Sequence, residues 1–176
     1  MEKNRLYVRI SVLFLLIIAL GYTFYTNFSS DYNSEPIRIG AVAPDFIVID
    51  TNGNTVELAD FEGKGVYLTF WSTFCAICER NMPIVEEQYQ AYKEQGIEVI
   101  GVNIGEREES VKSFIEKHDL SFTTVIDHDR NVLGDYGVVH LPTTVLIDKH
   151  GIVKDIIPGG KSGERVISYM ESIKPY

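Results

Sequence analysis

Cys75 and Cys78 are the only cysteines in a chain of 176 residues, and two residues separate them. Two thiols at that spacing can close and reopen a disulfide with little backbone movement. Exchange of disulfides needs one thiolate to attack and a second thiol to resolve the mixed disulfide. As a structural staple the pair would close only a tiny loop and add little stability. A secreted disulfide scaffold would use more cysteines, spread along the chain. Redox chemistry and metal binding are the uses that remain.

The pair lies at a junction between two patterns. Gly65 to Trp71 (Gly-Val-Tyr-Leu-Thr-Phe-Trp) reads as a central strand. Ala76 to Gln95 has helical composition and ends at Gly96, a C′ residue, with Pro83 inside predicting a kink. A helix N-terminus offers free N–H groups and the positive end of the helix dipole. A thiolate placed there is stabilised, so the Cys at the tip has a lowered pKa. This predicts Cys75 as the exposed attacker and Cys78, almost one turn further in, as the shielded resolver. Trp71 reads as core packing beside the pair, and Phe74 as part of an apolar substrate surface.

The elements that must hold this junction follow along the chain. Asp50-Thr51-Asn52-Gly53, between short β-rich runs, predicts a hairpin over residues 45–57. Ile97 to Ile104 is a second buried strand, Glu108 to His118 an amphipathic helix, and Thr123 to Ile126 a short strand. Asn131 to Tyr136 is a short helix. Thr144 to Asp148 and Ile152 to Ile157 form a second hairpin around Lys149-His150-Gly151, and Glu164 to Lys174 is a closing helix. Alternating strands and helices predict an α/β sheet covered on both faces.

Charge and hydropathy divide the chain unevenly. The first 30 residues carry Lys3, Arg5 and Arg9 against Glu2, a net +2, so the chain total of −9 leaves −11 on the remainder. An acidic domain without a basic run argues against nucleic acid as a partner. Ile10 to Ser30 holds no charged side chain, and its 21 residues can cross about 30 Å of hydrocarbon at 1.5 Å per residue. The basic residues before it predict a cytoplasmic tail over 1–9, a signal-anchor transmembrane helix over 10–30 and everything later outside. Gly21-Tyr22-Thr23-Phe24-Tyr25 is too bulky for a signal-peptidase site. Residues 31–36 read as a polar linker, and 37–176 as one domain.

Trp71-Ser72-Thr73-Phe74-Cys75-Ala76-Ile77-Cys78, with Pro83 beyond it, resembles the active-site segment of thioredoxin-like oxidoreductases. Leu141-Pro142-Thr143-Thr144 resembles their cis-proline segment, and Ala41-Val42-Ala43-Pro44-Asp45-Phe46 is similar to the opening of the TlpA/ResA branch. Cys75 and Pro142 are 67 residues apart, longer than in plain thioredoxins, which fits the extra strand–helix unit of that branch. The resemblance implies a thioredoxin-like fold with an N-terminal hairpin extension and an inserted strand–helix unit. It implies that Leu141, Pro142 and Thr143 line a groove that holds an extended substrate segment as an added strand. It implies, finally, a membrane-tethered thiol reductase of cytochrome c maturation. Such a protein takes electrons from a membrane thiol donor and passes them to a client such as apocytochrome c. It has no cofactor or metal beyond the disulfide, and a monomer is the default state.

Three positions depart from that family. Thr69 stands where thioredoxins bury an Asp, and Ala76 and Asn81 stand where ResA-like proteins often carry Glu. Asn81 is therefore expected to support Cys78 in place of a carboxylate. Two rival functions remain open. A thioredoxin-like copper chaperone would use Cys75, Cys78 and His140, although such chaperones place three residues between their cysteines. An oxidase of the same fold would need a strongly stabilised thiolate, and Ala76-Ile77 supplies neither a cation nor a His. A peroxidase fits poorly, because Thr73 and Cys75 are too close for the peroxiredoxin pattern.

Overall fold

The structure is a computed structural model that describes residues 2–29 and 37–175. The expected linker, 31–36, lies outside the described residues. The chain divides into two units, a single helix and the domain that follows. The helix, α1, spans Glu2–Ser29. Among the described residues no helix is long and apolar enough to cross a membrane. The expected span over 10–30 includes positions whose side chains are outside the described set.

The domain opens with a hairpin of β1 (Ile47–Ile49) and β2 (Thr55–Glu57), paired antiparallel. Its turn is built by Asp50, whose Oδ1 accepts from the N–H groups of Asn52 and Asn54, both at 2.8 Å. Gly53 completes it at φ +88°, a conformation that costs glycine little.

The main sheet has five strands: β3 (Gly65–Trp71), β4 (Ile97–Asn103), β5 (Thr123–Ile126), β6 (Thr143–Ile147) and β7 (Val153–Pro158). Their order is β5-β4-β3-β6-β7. β3 pairs parallel to β4 and antiparallel to β6, so it is central and wholly buried. The helices are α2 (Ala76–Tyr92), α3 (Glu108–Lys117), α4 (Asn131–Asp135) and α5 (Gly163–Ile173). The helical run after α2 tightens into a 3₁₀ turn at Lys93–Gln95 and stops at Gly96, φ +84°. Pro83 is inside α2.

The two-residue period of β3 sorts the core into two clusters. Tyr67 and Trp71 join Met82 and Val85 of α2, Val111 and Phe114 of α3, and Val166 and Met170 of α5. Val66, Leu68 and Phe70 join Val132 and Tyr136 at the other face, with Phe46, Val56 and Leu58 from the hairpin region. Helices therefore cover both faces, which a sheet buried on both sides requires. The unit of α3 and β5 sits between β4 and α4 and adds β5 as the outermost strand of the parallel side. This architecture is the thioredoxin-like fold.

Candidate active site

β3 ends at Trp71, and a short loop, Ser72 to Phe74, delivers the chain to α2. Cys75 is the N-cap of that helix, with extended backbone at φ −92°, ψ 101°. Its Sγ accepts a hydrogen bond from the Cys78 N–H at 3.1 Å. That N–H is one of the donors a helix start leaves without an intrahelical partner. Cys75 and Cys78 form a disulfide, with Cα atoms 5.1 Å apart. Cys78 is only 1% exposed and belongs to the core cluster, whereas Cys75 packs against its edge and stays half-exposed. The first cysteine is reachable from solvent and the second is sealed behind it.

The loop is fixed by side chains that do not belong to it. Asn103 closes β4, is fully buried, and lies in register with Trp71. Three residues later, Glu106 turns its carboxylate under the loop. Its Oε2 accepts from the Thr73 N–H at 2.7 Å and from Asn103 Nδ2 at 2.5 Å, and its Oε1 accepts from the Thr73 hydroxyl at 2.7 Å. The Glu106 N–H donates back to Asn103 Oδ1 at 2.9 Å. Burial raises the carboxyl's pKa, but the donors of Asn103, Thr73 and Ser72 outweigh it and leave the group below its ordinary range. Glu106 was not singled out from sequence. Its one signal there is position, a polar residue just past the C-terminal end of a strand parallel to the one that delivers the cysteines.

The Leu141–Pro142 peptide bond is cis. Phe70 and Thr143 are partners across β3 and β6, so the start of β6 lies beside the end of β3. The Pro142 carbonyl accepts from the Gly159 N–H at 2.7 Å. The neighbouring Gly160 stands so close to α2 that an added Cβ would lie 2.8 Å from Ile77. These contacts tie the proline segment to the cysteine helix. Thr143 donates its hydroxyl to the His140 carbonyl at 2.8 Å. Leu141 is half-buried and touches both core clusters.

Phe74 is 89% exposed and Val139 85% exposed, and Ile77 is also exposed. The positions next to Cys75 and ahead of Pro142 thus present apolar surface to solvent. Val139 was not anticipated, because a lone Val in a loop carries no sequence signal. Trp71 is fully buried and packs on Phe114, ring centroids 4.7 Å apart. Asn81 is buried, and its amide donates to the Lys161 carbonyl at 2.9 Å. Glu79, despite its place beside Cys78, turns to α3 and pairs with Lys117 at 2.7 Å. Thr69 lies in a buried hydroxyl cluster, 3.3 Å from the Thr144 hydroxyl, which is itself 3.4 Å from that of Tyr67. Burial pushes the Tyr67 phenol up to about 12. Among the described residues no three of His, Cys, Asp and Glu gather to hold a metal ion.

The sequence profile of the AhpC/TSA family matches residues 39–156. A protein of Geobacillus kaustophilus named thiol-disulfide oxidoreductase ResA is 46% identical over 174 residues, covering 99% of each chain. The chain belongs to the AhpC/TSA family, with the ResA thiol–disulfide oxidoreductases as its full-length relatives. A ResA of Halalkalibacterium halodurans is 45% identical and covers 99% of this chain and 98% of its own. Among solved structures, a putative thiol:disulfide interchange protein DsbE from Chlorobium tepidum superposes with a TM-score of 0.73 at 29% identity. It covers 78% of this chain and 98% of that one. This AhpC/TSA-family chain is therefore a thiol–disulfide oxidoreductase, and Cys75 and Cys78 are the pair that its geometry brings into bonding range.

Proposed function

We propose that the protein is a membrane-tethered reductase of client disulfides outside the cytoplasm, and that its client is a CxxC-bearing protein such as apocytochrome c. The observation that carries the direction is the setting of Cys75. Its sulfur takes one N–H from the helix start, and the dipeptide that follows adds no cation or imidazole. A thiolate stabilised that modestly leaves the reduced form a good donor of electrons. The full-length relatives named ResA support the pathway. The uncharged run 10–30, with Lys3, Arg5 and Arg9 before it, supports a signal anchor that leaves the domain outside.

The reaction balances on the two sulfurs alone, without further cofactor. The Cys75 thiolate attacks one sulfur of the client disulfide, forms a mixed disulfide and expels a client thiolate. Cys78 loses its proton and attacks the Cys75 sulfur, which releases the second client thiolate and closes Cys75–Cys78. Two electrons have passed to the client, and a membrane dithiol donor returns two to the pair. Phe74, Leu141, Pro142 and Thr143 hold the client segment. Trp71 supports the loop from the core, and Asn81 supports Cys78 by fixing α2 to the Lys161 backbone. The protein works as a monomer.

Substrate capture tests this reading. The full chain carrying Cys78→Ala cannot resolve the intermediate, so oxidised clients accumulate on Cys75 and can be identified after non-reducing separation. Capture of a c-type apocytochrome, lost with Cys75→Ala, is the expected result. If the reduced variant forms no mixed disulfide with an added oxidised CxxC protein, while the unaltered oxidised chain oxidises the dithiol form of that protein, the reductase reading is overturned.

A further inference from the structure

Phe74 is the most exposed large apolar side chain among the described residues, yet the N–H groups of Thr73, Phe74 and Cys75 all have partners. The Thr73 N–H goes to Glu106, the Phe74 N–H to Ser72 Oγ at 3.1 Å, and the Cys75 N–H to the Ser72 carbonyl at 3.2 Å. Three residues between a strand and a helix would ordinarily sample several conformations. Here one carboxylate holds the middle of the loop by both its backbone and its hydroxyl.

The anchor is itself rigid. Glu106 is clamped by Asn103, which is buried between strands: the Ile104 N–H bonds the Trp71 carbonyl at 3.2 Å and the Asp127 N–H bonds the Asn103 carbonyl at 2.9 Å. Both carboxylate oxygens are occupied within the protein, so Glu106 has little left to offer a client directly. A charged acceptor gives the strongest kind of hydrogen bond available here.

We propose that Glu106 is a positioning residue for client binding: its carboxylate locks Ser72 to Phe74 so that the Phe74 ring is presented beside the Cys75 sulfur before a client arrives. The proposal rests on the exchange reaction at Cys75 described above. Its substance is preorganisation. A loop already ordered does not have to be ordered at binding, and affinity rises by the cost avoided. Glu106 therefore acts on client affinity through a side chain it does not touch, and leaves the chemistry of the sulfurs to the helix start.

A double-variant cycle in the full chain, with insulin as the protein disulfide and high salt to suppress long-range charge effects, tests this. Glu106→Gln should raise KM about tenfold, the scale of one charge-assisted hydrogen bond, with kcat within about twofold. Phe74→Ala should raise KM similarly. The double variant should lie within about twofold of Phe74→Ala, because a misplaced ring and an absent ring are equivalent. If the two losses multiply, or if Glu106→Gln lowers kcat and spares KM, the proposal is overturned. Should Glu106→Gln fail to fold, Thr73→Ala removes one loop donor to the same carboxylate and should raise KM about threefold, again without effect in the Phe74→Ala background. A multiplicative loss there overturns the proposal equally. If the unaltered protein does not reduce insulin at all, the exchange reading fails instead, and the two failures are distinct.

Discussion

Glu106 carries a consequence for acid stability. Its carboxyl is depressed in the folded protein because Asn103, Thr73 and Ser72 donate to the ionised form more strongly than burial penalises it. A carboxylate depressed by folding contributes stability above its unfolded pKa of about 4.3, and that contribution is lost as pH falls through the lower folded value. Glu106→Gln should therefore be less stable than the parent at neutral pH. The gap should close as pH falls below about 4. Denaturant midpoints measured from pH 7 down to about 3 check this, and a gap that stays constant would assign the loss to packing rather than to charge. The same residue marks the limit of reading the site from sequence. Cys75, Cys78 and Pro142 were legible because residue type and spacing declare them. Glu106 was not, because its partner is a backbone N–H 33 positions earlier, and one glutamate among many surface carboxylates declares nothing.

At the scale of elements, α2 is held to the sheet from one side and to α5 from another. Val166 and Met170 of α5 are fully buried in the cluster that contains Cys78, Met82 and Val85. Met170→Ala should cost about 2–5 kcal/mol, the range for truncating a large buried side chain. Thermal and chemical unfolding would measure it. The disulfide should also reduce more readily in that variant, because a looser α5 leaves Cys78 less sealed. Most element boundaries followed from local pattern. The Gly65–Trp71 run and the Thr123–Ile126 run are strands over those same residues. The small misses sit at ends, where fraying and tertiary pairing decide. The second hairpin begins at Thr143 because that residue pairs with Phe70 and Pro158, a fact of register that no local pattern contains. Strand order was likewise beyond the sequence, since it depends on which distant edges meet.

For the molecule as a whole, charge is the dominant long-range property. Everything after residue 30 carries −11, and a field of that sign attracts basic partners and repels acidic ones. A peptide disulfide flanked by lysines should form the mixed disulfide with Cys75 faster than one flanked by glutamates. The difference should shrink severalfold between about 0.05 and 0.5 M salt, as the screening length falls below the size of the site. Stopped-flow mixing of the reduced chain with the two peptides measures this. Equal rates at low salt would show that apolar contact at Phe74 outweighs the field.

The antiparallel pairing of β3 with β6 has a consequence for how such a chain can change over time. The two halves of the reactive cleft come from the exit of one strand and the entrance of its neighbour, joined by a ladder in which Phe70 faces Thr143. Nothing between those strands enters that ladder. The stretch after Glu106 and before β6 can therefore lengthen or be rebuilt, as the α3–β5 unit appended at the far edge illustrates, while the sulfurs and the proline keep their spacing. New modules can be grafted there to suit new clients, and the chemistry is inherited intact.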